Sequence, residues 1–404
     1  MKALLLSQEF PPRFSGGIST FYFRLCEALG GQLAVLTSGG SECRAFDSTQ
    51  SFSVYRVPMP VQPVSLMRVR YSRLARLAYA AFVGTGQYVW FTWGACAALR
   101  DKPAALLLAG HLYLAPLARV VAGLLRRPYT VFLHGGELHR YWDNRPVRWA
   151  MLWGLTGASF VIANSGDTAR QYRRRGLTPS VPIHIVHPGV DTEHFQPLPH
   201  GQELRKNLGI LSSGPILLSV ARLVEWKGQD TVLRALPRIR EACPTVRYVM
   251  AGSGPYRADL ERLAQELGIS EAVQFAGFVP DEVLPQFLAA ADVIVLPARE
   301  FRSGMPAEGF GITLLEAAAC ARPVVAGNVG GTADAVLDGV TGLLVDPCDP
   351  AAVAQAVLRL LNDPDLARRM GEAGRQRALA EFTWQATAQP LLAVIEEALD
   401  AQSL

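Results

Sequence analysis

The sequence predicts an α/β protein made of two doubly wound, Rossmann-like parallel-sheet domains facing a central cleft. Two observations carry this expectation. Apolar runs of four to seven residues recur along the chain, separated by longer segments of helical periodicity. The alternation halts in a polar, proline-containing stretch at 191–214 and then resumes. A chain of 404 residues has room for two such units.

Taken in order, the first series of strands is Ala3–Leu6, Leu33–Leu36, Ala104–Ala109, Thr130–Leu133, Phe160–Ala163 and Ile183–Val186. The second is Ile216–Val220, Tyr248–Ala251, Val273–Phe275, Val293–Leu296, Val324–Ala326 and Leu343–Val345. These runs are apolar throughout, the pattern of strands covered by helices on both faces. Ala3–Leu6 stops at Gln8-Glu9, too short for a secretory signal and suited to a strand. Between Arg76 and Arg100 lie 23 uncharged residues, enough by count to span a bilayer. Gly84, Gly86 and Gln87 interrupt them and Pro103 follows, so a buried helical segment is expected instead. The last stretch, from Phe382 to Leu399, reads as a helix with Leu391, Leu392, Val394, Ile395 and Leu399 on its apolar positions.

Half the residues are apolar and 18% are charged, which excludes a disordered chain. Six cysteines form no C-x-x-C pair and no zinc-like spacing with histidine, as in a reduced cytoplasmic protein. Net charge is +4, unevenly spread: residues 1–200 carry 21 basic against 10 acidic side chains, residues 201–404 carry 18 against 25. An anionic partner on the N-terminal side would account for that asymmetry; so would a preference for arginine alone.

In doubly wound sheets the ligand lies beyond the carboxyl ends of the strands. Chemistry-bearing residues cluster there. After Val293–Leu296 comes Glu308-Gly309-Phe310-Gly311-Ile312, leading through a helical pattern to Glu316. The glycines suit close backbone approach, and a helix starting near Gly311 and Ile312 offers free N–H donors. If 308–316 rose as one helix, its two carboxylates would stand about 12 Å apart. A ligand with hydroxyls at both ends and anionic groups between fits that spacing. After Ile216–Val220 come Arg222 and Lys227-Gly228, cations suited to phosphate oxygens. Gly16-Gly17 follows the first strand, His134-Gly135-Gly136 the fourth, and Asn164-Ser165 the fifth. Singly, each has a plainer explanation: helix-start acids, solvated arginines, a structural histidine. G-x-G-x-x-G is absent from the first strand–helix turn, so a nicotinamide cofactor has no support. Asp363-Pro364-Asp365 is formally D-x-D, but it lies between two helices and is expected to cap rather than bind metal.

Gly16-Gly17, His134-Gly135, Asn164-Ser165, Pro188-Gly189-Val190-Asp191, Arg222 with Lys227-Gly228, and Glu308 with Glu316 follow one another at specific spacings. In that order they resemble the retaining GT-B glycosyltransferases of nucleotide-sugar-dependent family 4, over essentially the whole chain. Gly252-Ser253-Gly254-Pro255 and Phe275–Pro280 also match loops of that family. The loop Ala298–Ala307 resembles the branch that includes phosphatidylinositol mannosyltransferases, while Ala333-Asp334 stands where Pro-Glu is common.

The resemblance implies an acceptor-side domain at 1–192, a donor-binding domain at 193–384, and a helix at 385–404 crossing back to the first. It implies that Arg222 and Lys227 bind the donor diphosphate and that Glu316 receives the ribose hydroxyls. Glu308 with Gly309, Phe310, Gly311 and Ile312 would hold the sugar, and His134 would support the reacting centre. Gly16 and Gly17 would touch the phosphate; Gly252, Phe275, Gly277 and Phe278 would border the base; Asn164 and Ser165 would face the acceptor. The expected reaction moves a hexose from a GDP-mannose- or UDP-glucose-type donor to a hydroxyl acceptor, with retained configuration and neither metal nor cofactor. A lipid-linked, glycolipid or polysaccharide acceptor is expected, with peripheral contact at an anionic inner membrane face through segments such as Arg68, Arg70 and Arg73. A soluble acceptor, or a nucleotide-sugar epimerase or hydrolase, remains the alternative. Arginines here are not interleaved with aromatics, so a single-strand nucleic-acid binder is disfavoured. The last lysine is Lys227, which leaves a phosphorylase without a C-terminal cofactor lysine.

Overall fold

A computed structural model describes residues 1–13, 16–58, 88–100, 105–136, 144–177, 181–199, 202–210, 214–301, 305–306 and 308–400. The chain divides into two compact units: one takes in 1–163, 169–186 and 388–404, the other 164–168 and 187–387.

In the first unit seven strands pair in the order β3-β2-β1-β4-β5-β6-β7. They are β1 (Ala3–Leu6), β2 (Leu33–Ser38), β3 (Val54–Val57), β4 (Leu106–Ala109), β5 (Tyr129–Leu133), β6 (Phe160–Ala163) and β7 (Ile183–Ile185). Every pairing is parallel, with Leu4 between Ala34 and Leu107. The helices are α1 (Gly17–Leu29), α2 (88–100), α3 (Ala115–Leu125), α4 (Arg145–Thr156) and α5 (Gly166–Arg174), the last belonging to this unit from Ala169 onward. β1 and β4 are buried at every position, which explains their unbroken apolar sequence.

Strand β3 is absent from the strands expected from sequence. Its residues Val54-Tyr55-Arg56-Val57 are mostly half-buried, because it closes one edge of the sheet and needs no continuous apolar run. Arg56 is held there by the Asp47 carboxylate at 2.7 Å and by the carbonyl of Pro11 at 2.6 Å. Part of the uncharged 77–99 stretch does form helix α2, but it is only buried on one side, through Phe91, Ala95 and Ala98. No described helix is long and apolar enough to cross a membrane.

The second unit holds six parallel strands in the order β10-β9-β8-β11-β14-β15. These are β8 (Ile216–Val220), β9 (Arg247–Ala251), β10 (Val273–Gly277), β11 (Val293–Leu296), β14 (Val324–Gly327) and β15 (Leu343–Val345). Between β11 and β14 a two-stranded ladder joins β12 (Glu300–Phe301) to β13 (Met305–Pro306), a feature the sequence expectation lacked. The helices are α6 (Gln229–Ala242), α7 (Arg257–Glu266), α8 (Leu284–Ala290), α9 (Ile312–Ala319), α10 (Pro350–Asn362), α11 (Pro364–Glu381) and α12 (Trp384–Asp400). The polar stretch 191–214 contains a helix at Gln202–Asn207, anchored by Arg205 on Asp292 at 2.8 Å. α12 begins in the second unit and from Ala388 onward belongs to the first, where Glu396 pairs with Lys2.

Both sheets reverse their winding once, between β1 and β4 and between β8 and β11. Those are the topological switch points, where adjacent loops diverge and leave a crevice at the carboxyl edge.

Asp363 ends α10 and caps α11, its carboxylate accepting the Leu366 N–H at 2.9 Å. Asp363→Ala is expected to lower stability by about 1 kcal/mol, read as a fall in the urea midpoint at unchanged slope; an unchanged midpoint would remove the capping role.

Candidate functional site

The loops that leave β8, β9 and β10 are laced together through main chain. Ala221 N–H donates to the Ala251 carbonyl at 3.1 Å, Leu223 N–H to Ser253 at 3.0 Å, and Gly252 N–H to Gly277 at 2.6 Å. Gly252 (φ +152°) is held so closely that a Cβ would lie 1.9 Å from the Ala221 carbonyl oxygen. Any side chain there would prise the first two loops apart.

From Leu223 the chain makes a single 3-10 turn, Glu225–Lys227, and enters α6 through Gly228 at φ +75°. A Cβ on Gly228 would sit 1.9 Å from the carbonyl oxygen of Pro297, at the end of β11. Arg299 N–H donates to the Trp226 carbonyl at 2.9 Å. Main-chain contact thus ties the loops on either side of the β8/β11 switch point. Two side-chain pairs reinforce it. The Lys227 ammonium is ion-paired with Glu308, their side chains 21% and 11% exposed. The Arg299 guanidinium meets Asp230 at 2.9 Å and Thr231 at 3.2 Å. Arg222 lies on the same loop as Lys227, exposed and without an ion pair to any described residue.

Glu308 does not lie on the helix. α9 starts at Ile312, and Gly311 before it adopts φ +95°, so the chain turns between the two acids and the helical spacing expected for 308–316 does not apply. Gly309 and Phe310 form that turn, against which Gly331 packs so tightly that its Cβ would be 2.1 Å from the Gly309 carbonyl oxygen. No side chain caps α9 and no acid sits in its first turn. Its leading amides therefore carry the partial positive charge of an unshielded helix start, beside Lys227 and Glu308.

Glu316 lies just over one turn into α9. Its carboxyl is crowded by protein, which pushes its pKa up to about 8, and the charge of Asp281 adds to the effect. No cation or hydrogen-bond donor among the described residues faces it. A solvated helix glutamate would not behave this way. At the end of β10, Phe275 is half-buried under the Arg257 guanidinium at 5.3 Å, Gly277 turns the chain at φ +74°, and Phe278 is 70% exposed.

In the first unit, α1 begins at Gly17, with Gly16 at φ +149° ahead of it. His134, at the carboxyl end of β5, is buried against the Phe132 ring. Its Nε2 lies 2.6 Å from the Tyr22 hydroxyl and 3.1 Å from the Gly110 carbonyl at the end of β4. Tyr22 directs its own hydroxyl proton to that carbonyl, so the network assigns the proton on His134 to Nε2. Asn164 and Ser165 are engaged locally: both bond the Thr168 hydroxyl, at 2.8 and 3.0 Å, and Ser165 accepts the Thr168 N–H at 3.1 Å. Those bonds cap α5. Arg68, Arg70 and Arg73 lie outside the described residues.

Sequence reasoning missed four participants. Asp230 and Arg299 pair across the switch point, and the only hint was their position just beyond β8 and β11. Asp281 bears on Glu316 from a loop with no motif of its own. Asp334 accepts the Gly166 N–H at 2.5 Å and lies 3.5 Å from His187. His187 also packs on Phe310, ring centres 5.2 Å apart, so Asp334 is linked to the turn that carries Gly309.

Residues 15–194 match the family described as Glycosyltransferase Family 4, and residues 201–377 that described as Glycosyl transferases group 1. A GDP-mannose-dependent alpha-(1-6)-phosphatidylinositol monomannoside mannosyltransferase of Mycolicibacterium smegmatis is 36% identical over 392 residues, 95% of each chain. The chain belongs to the GT-B glycosyltransferases of family 4. A second relative of this glycosyltransferase is the GDP-mannose-dependent monoacylated alpha-(1-6)-phosphatidylinositol monomannoside mannosyltransferase of Corynebacterium glutamicum, 31% identical over 98% of both chains. The GT-B fold is equally plain from solved structures. Anabaena HepE in complex with UDP aligns over 98% of this chain and 100% of its own, at a TM-score of 0.77 and 20% identity.

Burial of Glu316 has a measurable consequence for the glycosyltransferase. A carboxyl with a folded pKa near 8 holds its proton between about pH 4.5 and 8, where the unfolded chain has released it. Stability therefore falls as pH rises through that window. Glu316→Gln is expected to gain melting temperature over the parent on going from pH 5 to pH 8; parallel pH profiles for the two proteins would contradict the burial.

Proposed function

We propose that this glycosyltransferase moves a hexosyl group from a nucleoside-diphosphate sugar to a hydroxyl acceptor, with retention at the anomeric carbon and no metal. The observation that carries the reading is the convergence of Lys227, Glu308 and the uncapped start of α9 at the β8/β11 switch point. Breaking the bond from the anomeric carbon to the diphosphate gathers negative charge on the leaving oxygen. Lys227, Arg222 and the α9 amides are fixed positive groups available to that charge, the role a metal would otherwise take. An ammonium has three N–H donors, so Lys227 can keep Glu308 while binding a phosphate oxygen. Glu308 is thereby held in place to accept a hydroxyl of the sugar. Glu316, whose carboxyl has no hydrogen-bond partner among the described residues, receives the ribose hydroxyls, and Phe275, Gly277, Phe278 and Gly252 border the base.

The acceptor oxygen bonds to the anomeric carbon as the phosphate leaves, and that phosphate takes the acceptor's proton. Resemblance to the family assigns His134 and the Gly16–Gly17 backbone to the transfer; Tyr22 and Gly110, which occupy the His134 Nε2–H, fix its ring. The relatives' names favour GDP-mannose as donor and a phosphatidylinositol-type glycolipid as acceptor, which would place the enzyme at the cytoplasmic face of a membrane. Asn164 and Ser165 shape the acceptor side through α5 rather than by direct contact.

Thermal denaturation with GDP-mannose and with UDP-glucose tests the donor. At a hundredfold excess over Kd, binding adds about 2.7 kcal/mol of stability, a rise of several degrees that Lys227→Ala should abolish. The same substitution is expected to reduce transfer about 10²- to 10³-fold. If no nucleotide sugar raises the melting temperature of the parent protein, the donor assignment fails. Free sugar released without an acceptor would mark a hydrolase.

A further inference from the structure

Asp334 stands where the sequence departs from its family, and no step of the proposed reaction uses it. It lies in the short helix Thr332–Ala335, and its neighbours all belong to the second unit. The carboxylate oxygen that accepts the Gly166 N–H at 2.5 Å also lies 3.5 Å from His187 Nε2. The His187 ring packs on Phe310, centres 5.2 Å apart, and on Phe382 at 5.8 Å. Phe310 and Phe382 meet each other edge to face at 5.8 Å. From Phe382 the contacts return to their origin. The Arg377 guanidinium lies 4.8 Å from that ring centre and donates to the main-chain carbonyls of Asp334 at 2.9 Å and Ala335 at 3.1 Å. Asp334 is therefore held through side chain and main chain alike, and the circuit encloses Phe310, which is 2% exposed.

The turn that carries Glu308 meets this circuit twice. Phe310 is a member of it. Gly331, just ahead of the short helix, donates its N–H to the Glu308 carbonyl at 3.3 Å and rests on the carbonyl of Gly309. Residues 308–311 belong to no helix or strand, so no ladder of their own fixes them. What packs on the turn decides where the Glu308 side chain stands when it meets Lys227.

We propose that Asp334 and His187 are positioning residues for Glu308. The carboxylate holds the imidazole, the imidazole holds Phe310, and Phe310 holds the turn from which Glu308 reaches the donor sugar. The chemistry of the pair suits that task. A carboxylate tied to a main-chain N–H keeps its place, and an imidazole can offer it a ring nitrogen while its carbons pack on aromatic rings. Packing alone would be served by an apolar ring at 187, and the carboxylate beside it would then have no purpose. The inference rests on the reading of Glu308 as the group that holds the sugar, and the experiment separates the two.

Calorimetric titration of the full chain with GDP and with GDP-mannose provides the test, or with UDP and UDP-glucose if the parent binds that pair. The nucleotide alone reports the rest of the site, so the ratio of the two dissociation constants isolates the grip on the sugar. Asp334→Asn keeps an oxygen for the Gly166 N–H and drops the charge; His187→Phe keeps a ring against Phe310 and drops the nitrogen. Each is expected to move the ratio about tenfold against the sugar nucleotide, with affinity for the nucleotide alone unchanged. Transfer should fall about 10- to 100-fold in each. The double variant should move the ratio no further than either change alone, since both break one chain of contacts. Glu308→Gln is the reference and should move the ratio the same way. If it does and either of the other variants leaves the ratio unchanged, Asp334 and His187 do not position Glu308. If all three leave it unchanged, Glu308 does not hold the sugar and the proposal falls with that reading. Equal losses for nucleotide and sugar nucleotide in Asp334→Asn and His187→Phe would mark general support of the fold and overturn the proposal as well.

Discussion

The Lys227–Glu308 ion pair joins two loops that leave the second sheet on either side of its winding reversal. The β8–β11 ladder brings the loops side by side, and beyond it they are tied by the Arg299 N–H to Trp226 carbonyl bond and by this pair. The pair does so with little water around it, and removing one partner from such a setting leaves the other charge uncompensated, at a typical cost of 3–5 kcal/mol. Main chain sets the distance the pair must close: Gly228 rests on the Pro297 carbonyl and Gly331 on that of Gly309. Charge and close backbone approach therefore fix one geometry between them.

Most of the sheet framework can be read directly from the sequence, since a strand buried on both faces has no polar interruptions. The exceptions are those the physics predicts. β3 closes an edge and contains Tyr55 and Arg56, so it carries no apolar run. The β12–β13 ladder is two residues wide and arises from a loop. The uncharged stretch before Arg100 gives a helix but hides the fact that one side of α2 remains open, because tryptophan counts as apolar whether it faces a core or an interface.

The site is legible in a different way. Residue types placed just beyond strands pick out Arg222, Lys227, Glu308 and Glu316, because the carboxyl edge is where such a sheet binds. What sequence does not reveal is who meets whom. Lys227 and Glu308 are 81 residues apart and become partners only because β8 and β11 are neighbours. The same holds for Asp230 and Arg299. Gly309 and Gly311 were legible as a tight turn, yet that turn is what stops Glu308 from joining the helix of Glu316.

Glu316 carries a consequence for the economy of the whole reaction cycle. Burial and Asp281 push its carboxyl toward the protonated form, whereas a group that receives two ribose hydroxyls is better ionised. Under the proposed reading, loading of the donor expels a hydrogen ion into the medium and departure of the spent nucleotide recaptures one. Occupancy of the enzyme would then track local acidity, with alkaline surroundings favouring the loaded state.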